Sequence, residues 1–139
     1  MRNLIERIKA LNSLYLFRQE LKEGIAEIVG YYQVKIYLAL IITLNLLIWV
    51  FAYQLNKKAS QDLVILHYNV DFGVDLVGSI HQIYIIPLLG IIILSINFFI
   101  LLIVNRDKQF LSHLLFITAI ICNIFLLASL GLIYIVNFK

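Results

Sequence analysis

The chain has 139 residues, 63% of them hydrophobic and 14% charged, with a formal net charge of +3. A soluble domain carries about 45–50% apolar and about 25% charged residues, and a body this small has too much exterior to hide the excess. The composition excludes an ordinary water-soluble domain, and the scattered basic residues exclude a nucleic-acid-binding face.

The first 34 residues are of a different material from the rest. Leu4, Ile8, Leu11, Leu14, Leu21, Ile25 and Ile28 recur at steps of three, four or seven, with charged residues filling the gaps. That period predicts an amphipathic helix. It either lies on the cytoplasmic face of a membrane or docks a partner protein. Gly24 weakens the helix by about 1 kcal/mol relative to Ala, and Gly30 suits its end.

Three apolar runs follow, at 36–53, 83–104 and 114–136, and none holds a charged residue. A spanning helix needs about 20 such residues. The expected fold is an all-α membrane protein: the amphipathic helix over 1–34, then a three-helix transmembrane domain over 35–139. Tyr37, Trp49, Tyr53, Tyr84 and Tyr134 stand near the run ends as interfacial anchors. Pro87 falls in the first turns of the second span, where its missing donor costs least.

Each run carries one asparagine: Asn45, Asn97 and Asn123. An amide in hydrocarbon is costly unless bonded, so all three are expected to make polar contacts between helices. A polar path through the bundle is the alternative. Asn45 and Asn123 each lie nine residues into a run of the same direction, which sets them at one level.

Eight Lys and Arg residues (Arg2, Arg7, Lys9, Arg18, Lys22, Lys35, Arg106 and Lys108) fall on one side of the spans. Three (Lys57, Lys58 and Lys139) fall on the other. The positive-inside rule then predicts a multi-pass protein of the cytoplasmic, or inner, cell membrane. Its N-terminus is inside, with loop 54–82 and the C-terminus outside. The first 30 residues lack an uninterrupted apolar core, so no cleavable leader is expected.

The external loop contains LVILHYNVDFGVDLVGS, Leu63 to Ser79. Its opening β-branched run and its glycines, Gly73 and Gly78, are consistent with a short hairpin. His67, Tyr68, Asn69, Asp71, Asp75, Ser79 and His81 form the candidate recognition set. In an extended segment His67 and Asn69 share a side opposite Tyr68, which makes Asp75 the natural acceptor for either. Three readings are open. The polar groups bond the loop's own backbone; His67, Asp71, Asp75 and His81 ligate a divalent metal; or the loop meets an external peptide, lipid or protein.

The order Ile65, His67, Tyr68, Asn69, Asp75, Gly78, Ser79, Pro87 resembles the N-terminal module of unknown function in the SdpI family of membrane immunity and signalling proteins. The similarity covers roughly residues 36–104. The departures are Leu66 for a proline before the histidine, Phe72 where a glycine is expected with Gly73 following, and Ile80 for a lysine. The resemblance implies a bacterial cytoplasmic membrane and an outside-facing loop.

No nucleophile-elbow, zinc-protease, P-loop or dinucleotide motif occurs. The three histidines, His67, His81 and His113, lie away from the middle of the runs. The expectation is a non-enzymatic protein without cofactor or metal. It would be an immunity- or sensor-like accessory with an extracytoplasmic recognition loop. The alternative is a structural subunit of a larger membrane complex, docked through the N-terminal helix. A metal-dependent membrane enzyme ranks third. The expected partners are the lipid bilayer, other membrane proteins or a second copy, and an external peptide or lipid ligand.

Overall fold

The computed structural model describes residues 2–59, 62–69, 71–104 and 107–138, and no side chains at 2–5 and 7–10. Arg106, Lys139 and the side chains of Arg2, Leu4, Arg7, Ile8 and Lys9, all used in the sequence reading, lie outside the described set.

Four helices and one hairpin make up the chain: α1 (Arg2–Gly30), α2 (Tyr32–Lys58), β1 (Leu63–Asn69), β2 (Gly73–Ser79), a 3-10 turn (Ile80–Tyr84), α3 (Ile85–Ile103) and α4 (Lys108–Phe138). Three helical stretches, Tyr32–Lys58, Ile80–Ile103 and Lys108–Phe138, are long and apolar enough to cross a membrane.

The helices outrun the apolar runs that mark them. α2 continues past Tyr53 because Leu55 is fully buried on the same face as Ile48 and Ala52. Its helical turn therefore belongs to the core although Gln54 and Asn56 are polar. α4 starts six residues before Leu114, and its buried Ser112 spends its hydroxyl on the Gln109 carbonyl. At the start of α3 the 3-10 turn leads into Pro87, the third helical residue. Its absent N–H is one of the donors a first turn leaves unbonded anyway.

α2 and α4 run toward the hairpin end of the bundle and α3 runs back, with α4 packed against both. Two apolar clusters fill the interior. The one at the hairpin end joins Ile48, Leu55, Val64, Ile80, Ile83 and Leu130. The one at the opposite end joins Ile28, Val34, Ile41, Leu101, Phe116 and Ala119.

Among the described residues of α1, those of its last turns reach this core. Ile28 is fully buried, a side chain on Gly24 would press on Leu102, and Glu27 pairs with Lys108. Leu11, Leu14 and Ile25, on the apolar face read as meeting a membrane or a partner, are exposed. Gly30 does not take a left-handed cap: Gly73 is the one described glycine with positive φ. Instead Tyr31 adopts an extended conformation, and the chain re-enters a helix at once.

Candidate functional site

The hairpin is built by its turn. Asn69 Oδ1 accepts the Asp71 N–H at 2.9 Å, an Asx turn, and Gly73 follows at φ 81°, where a side chain would be strained. The strands pair antiparallel from Leu63↔Ser79 to Asn69↔Gly73, with an irregularity around His67. The register is the same on both sides of it, while His67 itself pairs with Leu76, the residue after Asp75. His67 Nδ1 lies 2.6 Å from Asp75 Oδ1, with both side chains open to solvent.

Gly78 has a different role from Gly73. It lies within β2, and a Cβ there would collide with the Gln82 amide and sit 2.5 Å from Leu66 Cδ1. Its lack of a side chain lets the strand close onto the turn that follows.

The hairpin is clamped to the helices. Asn137, near the end of α4, receives the Ile65 N–H on Oδ1 at 2.7 Å and donates from Nδ2 to the Ile65 carbonyl at 2.8 Å. The amide thus imitates a neighbouring strand along the outer edge of β1. A second donation to the Ile133 carbonyl, at 2.9 Å, ties it to α4. Ile80 N–H bonds the Asp62 carbonyl at 2.9 Å and closes the base of the hairpin. Tyr84 stacks on Trp49, ring centroids 5.8 Å apart, and accepts a bond from Asn56. Lys58 reaches the Tyr134 hydroxyl.

Between β1 and α4 lies a cleft of about 270 Å³, lined by Leu66, His67, Tyr68, Ser129, Leu132 and Val136 among others. The opposite edge of β2 is open: among the described residues no other backbone segment bonds it. Val74, Leu76 and Val77 stand exposed there, and Phe72 at the tip is 86% exposed.

Of the expected recognition set, His67, Tyr68, Asn69, Asp71 and Asp75 share the hairpin. Ser79 caps the 3-10 turn by accepting the His81 N–H, and His81 projects outward. His67, Asp71, Asp75 and His81 are not gathered. Among the described residues no three His, Cys, Asp or Glu side chains come together as metal ligands would.

The interior asparagines divide. Asn45 Nδ2 donates to Asn123 Oδ1 at 3.3 Å and to the Pro87 carbonyl at 3.0 Å, so one amide joins all three long helices. Gly90 makes the room, since a Cβ there would run into Asn45 Nδ2 and lie 2.7 Å from Asn123 Oδ1. Among the described residues Asn97 makes no interhelical hydrogen bond: its Nδ2 bonds the Ile93 carbonyl of its own helix at 3.0 Å. It stands seven residues beyond Gly90, about 10 Å along α3, out of reach of the other two. Nor do the polar groups line up into a path. Tyr37 and His113, 2.6 Å apart, are separated from the Asn45–Asn123 pair by fully buried Ile41, Phe116 and Ala119.

Sequence reasoning passed over Asn137 and Gly90. Asn137 had a signal. It follows Asn123 by 14 residues, close to four helical turns, and so shares its face.

No protein-family model, curated protein or solved structure matches the chain.

Proposed function

We propose that this is a non-enzymatic, multi-pass membrane protein whose hairpin is an extracytoplasmic recognition surface. Its N-terminus lies in the cytoplasm of a bacterial cell and its C-terminus outside. The observation that carries the reading is the Asn137 clamp. A plain connector between two spans needs no fixed shape, yet one edge of this hairpin is bonded to α4 while the other is left bare and apolar. An open strand edge with exposed alternate side chains receives an extended peptide by strand addition, the backbone giving affinity and the side chains selectivity. His67 and Asp75 add a fixed polar pair on the same surface. The motif order shared with the SdpI module, and the charge asymmetry of the spans, support the outside location. The proposed ligand is an extended segment of an external polypeptide.

Photocrosslinking residues placed at Val74 and at Leu76 in intact cells test this. The expected result is an adduct from the β2 edge that disappears when Asn137→Ala frees the hairpin. No adduct, or the same adduct from Ile124 on the opposite helical surface, would refute it.

A second reading has its own observation. Leu11, Leu14, Tyr15, Leu16 and Phe17 of α1 are exposed and uncovered, as a subunit docked through that helix into a larger assembly requires. Deleting residues 2–20 would then abolish co-purification of a stoichiometric partner in mild detergent.

A further inference from the structure

We propose that the chain pairs with a second copy in the membrane through α2, as a two-fold dimer. Thr43 of each copy donates a hydrogen bond to Asn45 Oδ1 of the other. The inference rests on α2 spanning the bilayer and is independent of what the hairpin binds.

The starting point is an open acceptor. Asn45 is only 8% exposed, and its Nδ2 donates to both the Pro87 carbonyl and Asn123 Oδ1. Those carbonyl partners fix which amide atom is which. Its own Oδ1 receives no bond among the described residues. The one fully enclosed side-chain atom there without a partner is Gln33 Nε2, so the Asn45 oxygen must reach open space. That space is a cleft of about 310 Å³ between α2 and α3, walled by Ile42, Leu46, Trp49, Gly90 and Ile91 with Asn45 in its lining.

An acceptor at this level, far from water, is costly when unbonded. Lipid tails have no donor to offer, which leaves a protein side chain. Thr43 stands two residues from Asn45, about 3 Å away along the axis, and is exposed, its hydroxyl bonded to the Ala39 carbonyl. Copies of one chain insert in one orientation, so Thr43 of a neighbour arrives at the matching level. Ala39 and Thr43, both exposed, are small residues four apart, the spacing that lets spanning helices approach closely.

The helical wheel makes the contact reciprocal. Leu46, 59% exposed, lies about 60° from Thr43 on one side and about 60° from Trp49 on the other, at 3.6 residues per turn. A two-fold axis in front of Leu46 therefore brings each Thr43 to the mouth of its partner's cleft. The interface closes on itself as an isologous pair. On pairing, the Thr43 hydroxyl exchanges the Ala39 carbonyl for Asn45 Oδ1. Trp49, the chain's single tryptophan, is withdrawn from lipid.

The test uses the full chain with Cys122→Ser in phosphatidylcholine vesicles. Leu46→Cys should crosslink to a dimer under oxidation, and Ile124→Cys on α4 should not. Energy transfer between labelled copies should show Thr43→Val, which removes both symmetric hydrogen bonds, raising the dissociation constant about tenfold or more, the range of two interhelical hydrogen bonds. Ala39→Leu should abolish pairing and increase quenching of Trp49 by brominated lipid. Both replaced side chains are exposed, and unchanged helical circular dichroism confirms that each monomer still folds. Equal crosslinking at Leu46→Cys and Ile124→Cys, or wild-type affinity in Thr43→Val, would overturn the proposal.

Discussion

Asn137 shows how much one side chain can decide. Its amide satisfies both backbone groups of Ile65 that point away from β2. Leaving a partly buried donor and acceptor unbonded costs about 1–3 kcal/mol. Asn137→Ala should therefore speed hydrogen exchange at the Ile65 amide at least about fivefold while amides in the middle of α4 keep their protection. By contrast the His67–Asp75 pair is solvent-exposed, and such pairs contribute about 0–1 kcal/mol. The pair therefore contributes little to holding the hairpin shut. At this scale the sequence was informative where spacing alone brings residues together, as with Asn45 and Asn123. It was silent where the partner is backbone from a distant segment, as with Asn137 and Ile65. Asn97 carries the same amide, but the sequence sets only Asn45 and Asn123 at one level. On α3 Asn97 stands seven residues beyond Gly90 and bonds its own helix.

The elements follow from two signals of unequal strength. Apolar content locates the three long helices but not their ends, because residues such as Leu55 and Ser112 are drawn into helical turns by what they pack against. The hairpin follows from short β-branched runs around a turn, and its two glycines look alike on the page. Their roles differ: Gly73 supplies a left-handed backbone, and Gly78 supplies an absence of side chain. Gly73→Ala should weaken the hairpin by about 1–2 kcal/mol, whereas Gly73→Asn, which tolerates that conformation, should restore much of the loss. Strand protection measured by hydrogen exchange would distinguish them. Equal protection in Gly73→Ala and the parent chain would remove the turn from this account. In α1 the period marks a helix, and most of its apolar residues past position 10 face nothing within the chain.

Across the whole molecule, the Asn45–Asn123–Pro87 node sits between two apolar clusters and registers α2, α3 and α4 against one another. Replacing Asn45 and Asn123 together by Leu should destabilise the bundle by less than the two single changes added, because the residues share one bond. Thermal stability in detergent measures this, and strict additivity would exclude the coupling. The registered bundle in turn holds the Tyr84 and Asn137 anchors at the right height for the hairpin. The proposed function requires the bundle to span a membrane and to present that hairpin outside the cell. Phe72, 86% exposed at the tip, is the place to ask. With Cys122→Ser and Phe72→Cys, a membrane-impermeant thiol reagent should label the protein in intact cells as fully as in broken ones. Labelling only after the cells are broken open would contradict the account.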